Sequence, residues 1–404
     1  MSFYTLPHAP TIPVVEFHPH VPDAAIADLR HRLAYAAPRA RTWDNTNGPA
    51  HLGTSHDWVS DMIEKWRAFD WRAVEAEISS FPSYHATVQY KGHAYKIHFL
   101  ALFSAKRDAT PIVFSHGWPG SVLEFVPMLN HIKQQYSPAT LPNHIIVPSL
   151  VGYGFSSPPA TDLAFGSYDN AAILDSMMAG LGFGRQAGKG GYYAQGGDIG
   201  SFVTRQLTKF DSCIGIHLNF LPMGVPKGAS LAELDETDSH AMARGLKWRQ
   251  WGEGYRIEHS TKPATIGAIL DSSPVAVLCW IGEKLEGIRI TDRAQKLHFI
   301  LSDLSLYWYT NTAATCIWEY RSAWGMEGHN NEDYPARIDK PVGYSQFMYE
   351  IMPTPIPFMR RVANVVHAKR HLEGGHFAAL DEPVALWEDV QDFVKAASGA
   401  EPKL

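Results

Sequence analysis

From Pro111 onward the chain repeats one unit: a short run of consecutive apolar residues, then glycine-rich or polar residues, then a stretch with helical spacing. Ile112-Val113-Phe114-Ser115 and Ile145-Ile146-Val147 are the first two runs, and a third leads into Asp198. Ile214-Gly215-Ile216-His217-Leu218 is the fourth, and Val362 to Val366 comes late. Runs that are apolar at every position, rather than at alternate ones, belong to strands buried on both faces, and helices between such strands make the sheet parallel. The last helical stretch carries Leu386, Val390, Phe393 and Val394 at i, i+4, i+7 and i+8, the stripe of a helix lying on a sheet. The pattern predicts an α/β fold built on a doubly wound, mostly parallel sheet.

The rhythm stops between Leu221 and Trp324. Trp-, Leu- and Met-containing helical sequence replaces it, including Ser239 to Trp251 and Ala294 to Ala314, which predicts an inserted helical cap. Leu221 to Pro226 and the polar stretch Gly328 to Asp333 read as its hinges. Ahead of the core, Asp23 is placed to cap a helix carrying Ile26, Leu29 and Leu33. A second stripe runs through Trp58, Met62, Ile63, Trp66 and Phe69, and two short strands, Thr87 to Tyr90 and Tyr95 to Phe99, flank a Lys91-Gly92-His93 turn. The expected organisation is a meander over residues 1–110, core over 111–221 and 326–404, and cap over 222–325.

The 35 basic and 41 acidic residues are interspersed and leave a net charge of −6, so no basic face is available for a nucleic acid. The three cysteines, Cys213, Cys279 and Cys316, are widely spaced among apolar neighbours, unlike a disulfide framework or a zinc site, and fit a reducing compartment. No basic start followed by an apolar run opens the chain, and no apolar stretch reaches about 18 residues. A soluble, cytoplasmic protein without a membrane anchor is expected. The final Pro402-Lys403-Leu404 matches only part of the peroxisomal Ser-Lys-Leu address.

Gly196-Gly197-Asp198-Ile199-Gly200 follows the strand-like Tyr192-Tyr193-Ala194-Gln195 and opens the helix-like Ser201-Phe202-Val203-Thr204. Small residues two places either side of a central one are what a sharp strand-to-helix turn requires, because the chain approaches itself closely there. Taken alone, Gly-Gly-Asp also reads as a turn with a helix-capping aspartate. The flanking strand and helix favour a nucleophile elbow in an α/β-hydrolase core. A carboxylate nucleophile attacks a saturated electrophilic carbon and leaves an alkyl ester, which points to epoxides or alkyl halides rather than carboxylic esters.

His116-Gly117-Trp118-Pro119-Gly120 follows the first core strand, where this fold places one oxyanion donor, so the N–H groups of Trp118 and Ile199 are the candidate pair. Among 20 histidines, His376 is set apart by its Gly374-Gly375 lead and its place after the last strand. An imidazole there suits a general base, whereas His367 and His371 read as structural or solvated. The acid that orients it should follow the preceding strand; Glu350 fits best, with Asp339 and Asp333 weaker because they precede the apolar run.

These segments resemble the microsomal-type epoxide hydrolases and their soluble fungal members across nearly the whole chain. Phe69-Asp70-Trp71-Arg72 through Ser80-Phe81-Pro82 is similar to that family's meander, and His116 to Ser121, Gly196 to Ser201 and Gly374 to Phe377 match its motifs. Val342 to Glu350 is similar to the family segment ending in the charge-relay acid. The resemblance also implies two electrophilic tyrosines, carried here by Tyr255 in Gly254-Tyr255-Arg256 and Tyr320 in Glu319-Tyr320-Arg321.

What the resemblance implies is epoxide hydrolysis with catalytic Asp198, His376, Glu350, Tyr255 and Tyr320, with no metal or organic cofactor. The partners implied are a small epoxide and water, and a homodimer follows by analogy alone. Two other readings are a haloalkane dehalogenase and a non-catalytic binding or scaffold protein. The first expects a tryptophan after the nucleophile, where Ile199 stands; the second expects a catalytic group to be missing, and each has a candidate.

Overall fold

The computed structural model describes residues 2–36, 40–186, 189–324 and 337–399. The proposed hinge at Gly328 to Asp333 and the C-terminal tripeptide fall outside them. Nine strands form one sheet: β1 Val14–Glu16, β2 Ser83–Tyr90, β3 His93–Leu102, β4 Pro111–Ser115, β5 His144–Pro148, β6 Tyr192–Gly196, β7 Cys213–Leu218, β8 Ile338–Tyr349 and β9 Ala363–Gly375. Their spatial order is β1-β2-β3-β5-β4-β6-β7-β8-β9. From β5 to β9 every pairing is parallel, while β1, β2 and β3 are antiparallel, so the sheet is α/β and mostly parallel.

Strands β4, β5 and β6 are buried at every residue, as their unbroken apolar runs require. Two later strands differ from the sequence reading. Strand β8 carries Ser345 and Gln346 in its buried stretch, which hides its apolar pattern. Both are buried because both are paired: Ser345 donates to Asp389 Oδ2 at 2.5 Å and the Gln346 amide to Asp238 Oδ1 at 2.6 Å. Strand β9 begins at Ala363, with Val362 still in the preceding helix, and runs on to Gly375. As an edge strand it carries His367, Lys369, Arg370 and Glu373, the polar residues that shield an open edge.

The N-terminal helices are α1 (Asp23–Ala34), α2 (His56–Ala68) and α3 (Trp71–Ser79). Helix α1 buries Ile26, Leu29 and Leu33 as expected, but Asp23 does not cap it: Pro22 holds that position, and Asp23, one residue inside, pairs with Arg72. The two expected short strands are longer and join the main sheet, Tyr90 opposite His93 and Leu100 opposite Val147.

The inserted region is helical, with α7 (Glu236–Trp251), α8 (Gly254–Thr261), α9 (Arg293–Tyr309) and α10 (Glu319–Trp324) used below. Within the core, α4 (Val126–Gln135) and α5 (Ser167–Met178) precede the elbow helix, α6 (Asp198–Leu207). From β4 the order steps to β5 on one side and β6 on the other, the switch point that opens a crevice at the carboxyl ends of parallel strands. The three cysteines are unpaired. Among the described residues no helix is long and apolar enough to cross a membrane.

Candidate active site

The carboxyl ends of β4, β6, β8 and β9 carry Trp118, Asp198, Glu350 and His376 respectively, four side or main chains drawn from distant parts of the sequence. Strand β6 ends at Gly196, and Asp198 opens α6 with φ of +41°, a left-handed conformation costly for a residue with a Cβ. The neighbours show why small residues hold it there. A Cβ on Gly200 would lie 2.0 Å from the Ser115 carbonyl oxygen, and one on Gly117 would lie 2.4 Å from the Asp198 Cβ.

Asp198 is buried with a different partner on each oxygen. The Trp118 N–H donates to Oδ1 at 2.6 Å, and His376 Nε2 meets Oδ2 at 3.0 Å. Ile199, the other expected donor, is buried in the first turn of α6, where main-chain N–H groups lack helical partners. The loop holding Trp118 is stapled by His116, whose Nε2 accepts from Leu150 N–H at 3.0 Å, leaving Nδ1–H to donate to the Gly117 carbonyl at 3.0 Å. Burial pushes the His116 pKa down to about 4, so this staple stays neutral.

His376 follows Gly374, whose φ of +81° turns the chain out of β9. Its Nδ1 meets Glu350 Oε1 at 2.7 Å, and that oxygen also accepts the Met352 N–H at 3.3 Å. Burial alone would lower the imidazole's pKa, but the Glu350 and Asp198 carboxylates outweigh it and hold the group well above the ordinary histidine value. Asp339 lies at the opposite end of β8, exposed and paired with Arg337, and Asp333 falls outside the described residues. His371 contacts Asp389 at 2.6 Å, away from the site, in a buried cluster with Ser345.

Tyr255 on α8 stacks on the Trp118 indole, ring centroids 5.0 Å apart, and Tyr320 on α10 meets the same indole edge-on at 5.6 Å. The two phenols are themselves 5.9 Å apart between centroids. Burial, reinforced by the Asp198 charge, holds both far above the ordinary tyrosine range, so both remain O–H donors.

Several neighbours gave no sequence signal. His259, one helical turn beyond Tyr255, packs 4.8 Å from the Tyr320 ring and accepts the Trp280 indole N–H at 2.8 Å. Burial pushes its pKa down to about 3, which keeps it neutral beneath the tyrosines. Glu124, buried behind the loop that carries Trp118, accepts the Gly117 N–H at 3.3 Å. Only the i+4 spacing of Tyr255 and His259 was there to be noticed, and it is indistinguishable from a packing stripe. Chemically, the arrangement offers a carboxylate fixed at one oxygen, an imidazole on the other, and two neutral phenols.

Residues 14–125 match the family profile described as "Epoxide hydrolase N terminus". The solved structure of Aspergillus niger epoxide hydrolase is 40% identical, with 98% of this chain and 100% of that one covered at a TM-score of 0.88. A Dothistroma septosporum protein provisionally named an epoxide hydrolase is 37% identical over 403 residues, 98% of this chain and 94% of that protein. Epoxide hydrolase 1 of Sus scrofa is 27% identical over 378 residues, 85% of this chain and 81% of its own length. Identity of this extent along almost the whole chain, on an α/β-hydrolase scaffold, makes the protein an enzyme of the epoxide hydrolase family.

Proposed function

We propose that the chain opens an epoxide to a vicinal diol in two steps through an ester on Asp198, with residues 222–325 acting as the cap over the reacting centre. The observation that carries this reading is the division of labour on one carboxylate, Oδ1 held by Trp118 N–H and Oδ2 against His376 Nε2. Oδ1 is occupied, so Oδ2 is the attacking oxygen. It forms a bond to a ring carbon, that carbon's bond to the epoxide oxygen breaks, and the electron pair goes to the oxygen, which takes a proton from Tyr255 or Tyr320.

His376, oriented by Glu350, then removes a proton from water. The resulting hydroxide adds to the Asp198 carboxyl carbon, placing negative charge on Oδ1, where Trp118 N–H and Ile199 N–H stabilise it by about 3 kcal/mol each. Collapse expels the diol alkoxide, which takes the proton from His376, and the proton left on the Asp198 carboxyl returns to the tyrosinate.

Intact mass of a His376→Ala variant incubated with styrene oxide tests the reading. The expected result is a mass increase of one substrate, absent in an Asp198→Ala control. An adduct that persists in the control, or none in either protein, rejects the covalent route.

A further inference from the structure

Beside the contact between Asp198 and His376 lies a cavity of about 10 Å³, bordered by Gln195, Asn219, Glu124 and Phe377. That volume is room for about one water, provided the walls offer it polar partners. They do. The Gln195 Nε2 donates to Asn219 at 2.8 Å, while its Oε1 is buried with no hydrogen-bond partner among the described residues. The one hydrogen bond to the Glu124 carboxyl among the described residues is the long one from Gly117 N–H, at 3.3 Å, which leaves acceptor lone pairs unused.

A single long hydrogen bond does not offset the desolvation of a carboxyl group. Burial, reinforced by the nearby Asp198 charge, raises the Glu124 pKa well above the usual carboxylate range against the opposing pull of Gly117 N–H and His376, which favours the neutral acid. Its carbonyl oxygen is therefore an acceptor beside a water-sized space next to the nucleophile.

Hydrolysis of an Asp198 ester makes three demands on one water. It must give a proton to His376 Nε2, keep its other hydrogen on an acceptor, and aim a lone pair at the ester carbon. We infer that this cavity seats the hydrolytic water and that Glu124 is the positioning residue that accepts the hydrogen the water keeps, with Gln195 Oε1 as a second acceptor. The inference rests on the Asp198-ester reading. No bond to Glu124 forms or breaks; the water's oxygen joins the Asp198 carboxyl carbon and its released proton goes to His376.

The test follows both half-reactions in the full-length protein during single turnovers of styrene oxide, using stopped-flow tryptophan fluorescence and quenched intact mass. Glu124→Gln keeps a carbonyl oxygen at the same reach, so its ester hydrolysis should stay within about threefold of wild type. Glu124→Asp draws the group back by one methylene, so hydrolysis should slow about tenfold or more while ester formation stays within about threefold, and the ester should accumulate. Gln195→Met, which removes the second acceptor at similar volume, should slow hydrolysis by a smaller factor with formation unchanged, and it carries the test if Glu124→Asp does not fold.

Equal slowing of both steps would make Glu124 a prop for the oxyanion loop and overturn the inference, as would unchanged hydrolysis in folded Glu124→Asp or Gln195→Met. Lost hydrolysis in Glu124→Gln would overturn it too. If no ester forms in any protein, the His376→Ala variant included, the covalent reading itself fails and takes this one with it.

Discussion

The Tyr307 hydroxyl on α9 donates to the Gly120 carbonyl at 2.8 Å, tying the inserted helical region to the loop that carries Trp118. One helical turn earlier, Asp303 Oδ1 accepts from Ser121 Oγ at 2.5 Å. Burial pushes the Asp303 pKa up to about 8, the Ser121 contact opposing it, so near neutrality this is a bond between neutral groups. The position of the Trp118 loop is thus set partly from outside the sheet.

Tyr307→Phe removes one end of that tie and leaves a buried carbonyl unpaired, a loss of about 1–3 kcal/mol. Thermal unfolding should register the drop. In single turnovers the variant should hydrolyse its ester more slowly, because Trp118 N–H is aimed at Oδ1 less tightly. Unchanged values of both would show that the loop holds its position without α9.

Tyr255→Phe and Tyr320→Phe each remove one proton donor while keeping the ring that packs on Trp118. Proton transfer in general acid catalysis contributes about 10²- to 10⁴-fold. With two donors sharing the alkoxide, each single variant should slow ester formation about tenfold or more and hydrolysis far less. The double variant should approach the full loss. Stopped-flow tryptophan fluorescence separates the steps, and equal slowing of both would remove the electrophile role.

His376 binds its proton more tightly in the folded protein than in the unfolded chain. Stability from this source is fully present below the unfolded value of about 6.5 and disappears as the pH rises through the higher folded value. Glu350→Gln takes away the largest upward influence on that pKa. The Tm difference between wild type and this variant should therefore be widest at mildly acid pH and shrink on the alkaline side. An ester on Asp198, the intermediate of the proposed route, carries no charge, so the imidazole should lose its proton more easily at that stage. The pH midpoint of ester hydrolysis should lie below the His376 midpoint read by ¹³C NMR in the free enzyme; coincident midpoints would show that the Asp198 charge does not hold the proton.

How much of this was legible depends on where chemistry and packing wrote the same letters. Strands β4, β5 and β7 stood out because burial on both faces leaves runs of apolar residues. The Asp198 turn stood out because close chain approach admits only small residues beside it. Strand β8 was obscured by Ser345 and Gln346, whose burial depends on partners in α7 and the last helix that no local pattern announces. Asp23 had the composition of a cap but not its place, since Arg72 draws it into a pair with α3. Glu124, His259 and Tyr307 were invisible for a related reason: each meets residues that only the folded chain brings beside it, Gly117, Trp280 and Gly120 respectively, and a lone Glu, His or Tyr carries no periodicity.

Gly200 gives the sharpest test of the elbow as a packing solution. Its ideal Cβ position lies 2.0 Å from the Ser115 carbonyl oxygen and 2.7 Å from that of His116, both backbone atoms at the end of β4 that no rotamer change can move. Gly200→Ala must push α6 away from β4, and overpacking of this kind costs about 1–3 kcal/mol or more. The displacement also separates Asp198 from Trp118 N–H, which now stand 2.6 Å apart, so ester hydrolysis should fall along with Tm. Gly224→Ala is the matched control, because its Cβ would meet nothing within 4 Å. It should leave both measurements near wild type. A Gly200→Ala protein with wild-type Tm and turnover would mean that β4 and α6 can separate without cost, and that the small residue is not what holds Asp198 in place.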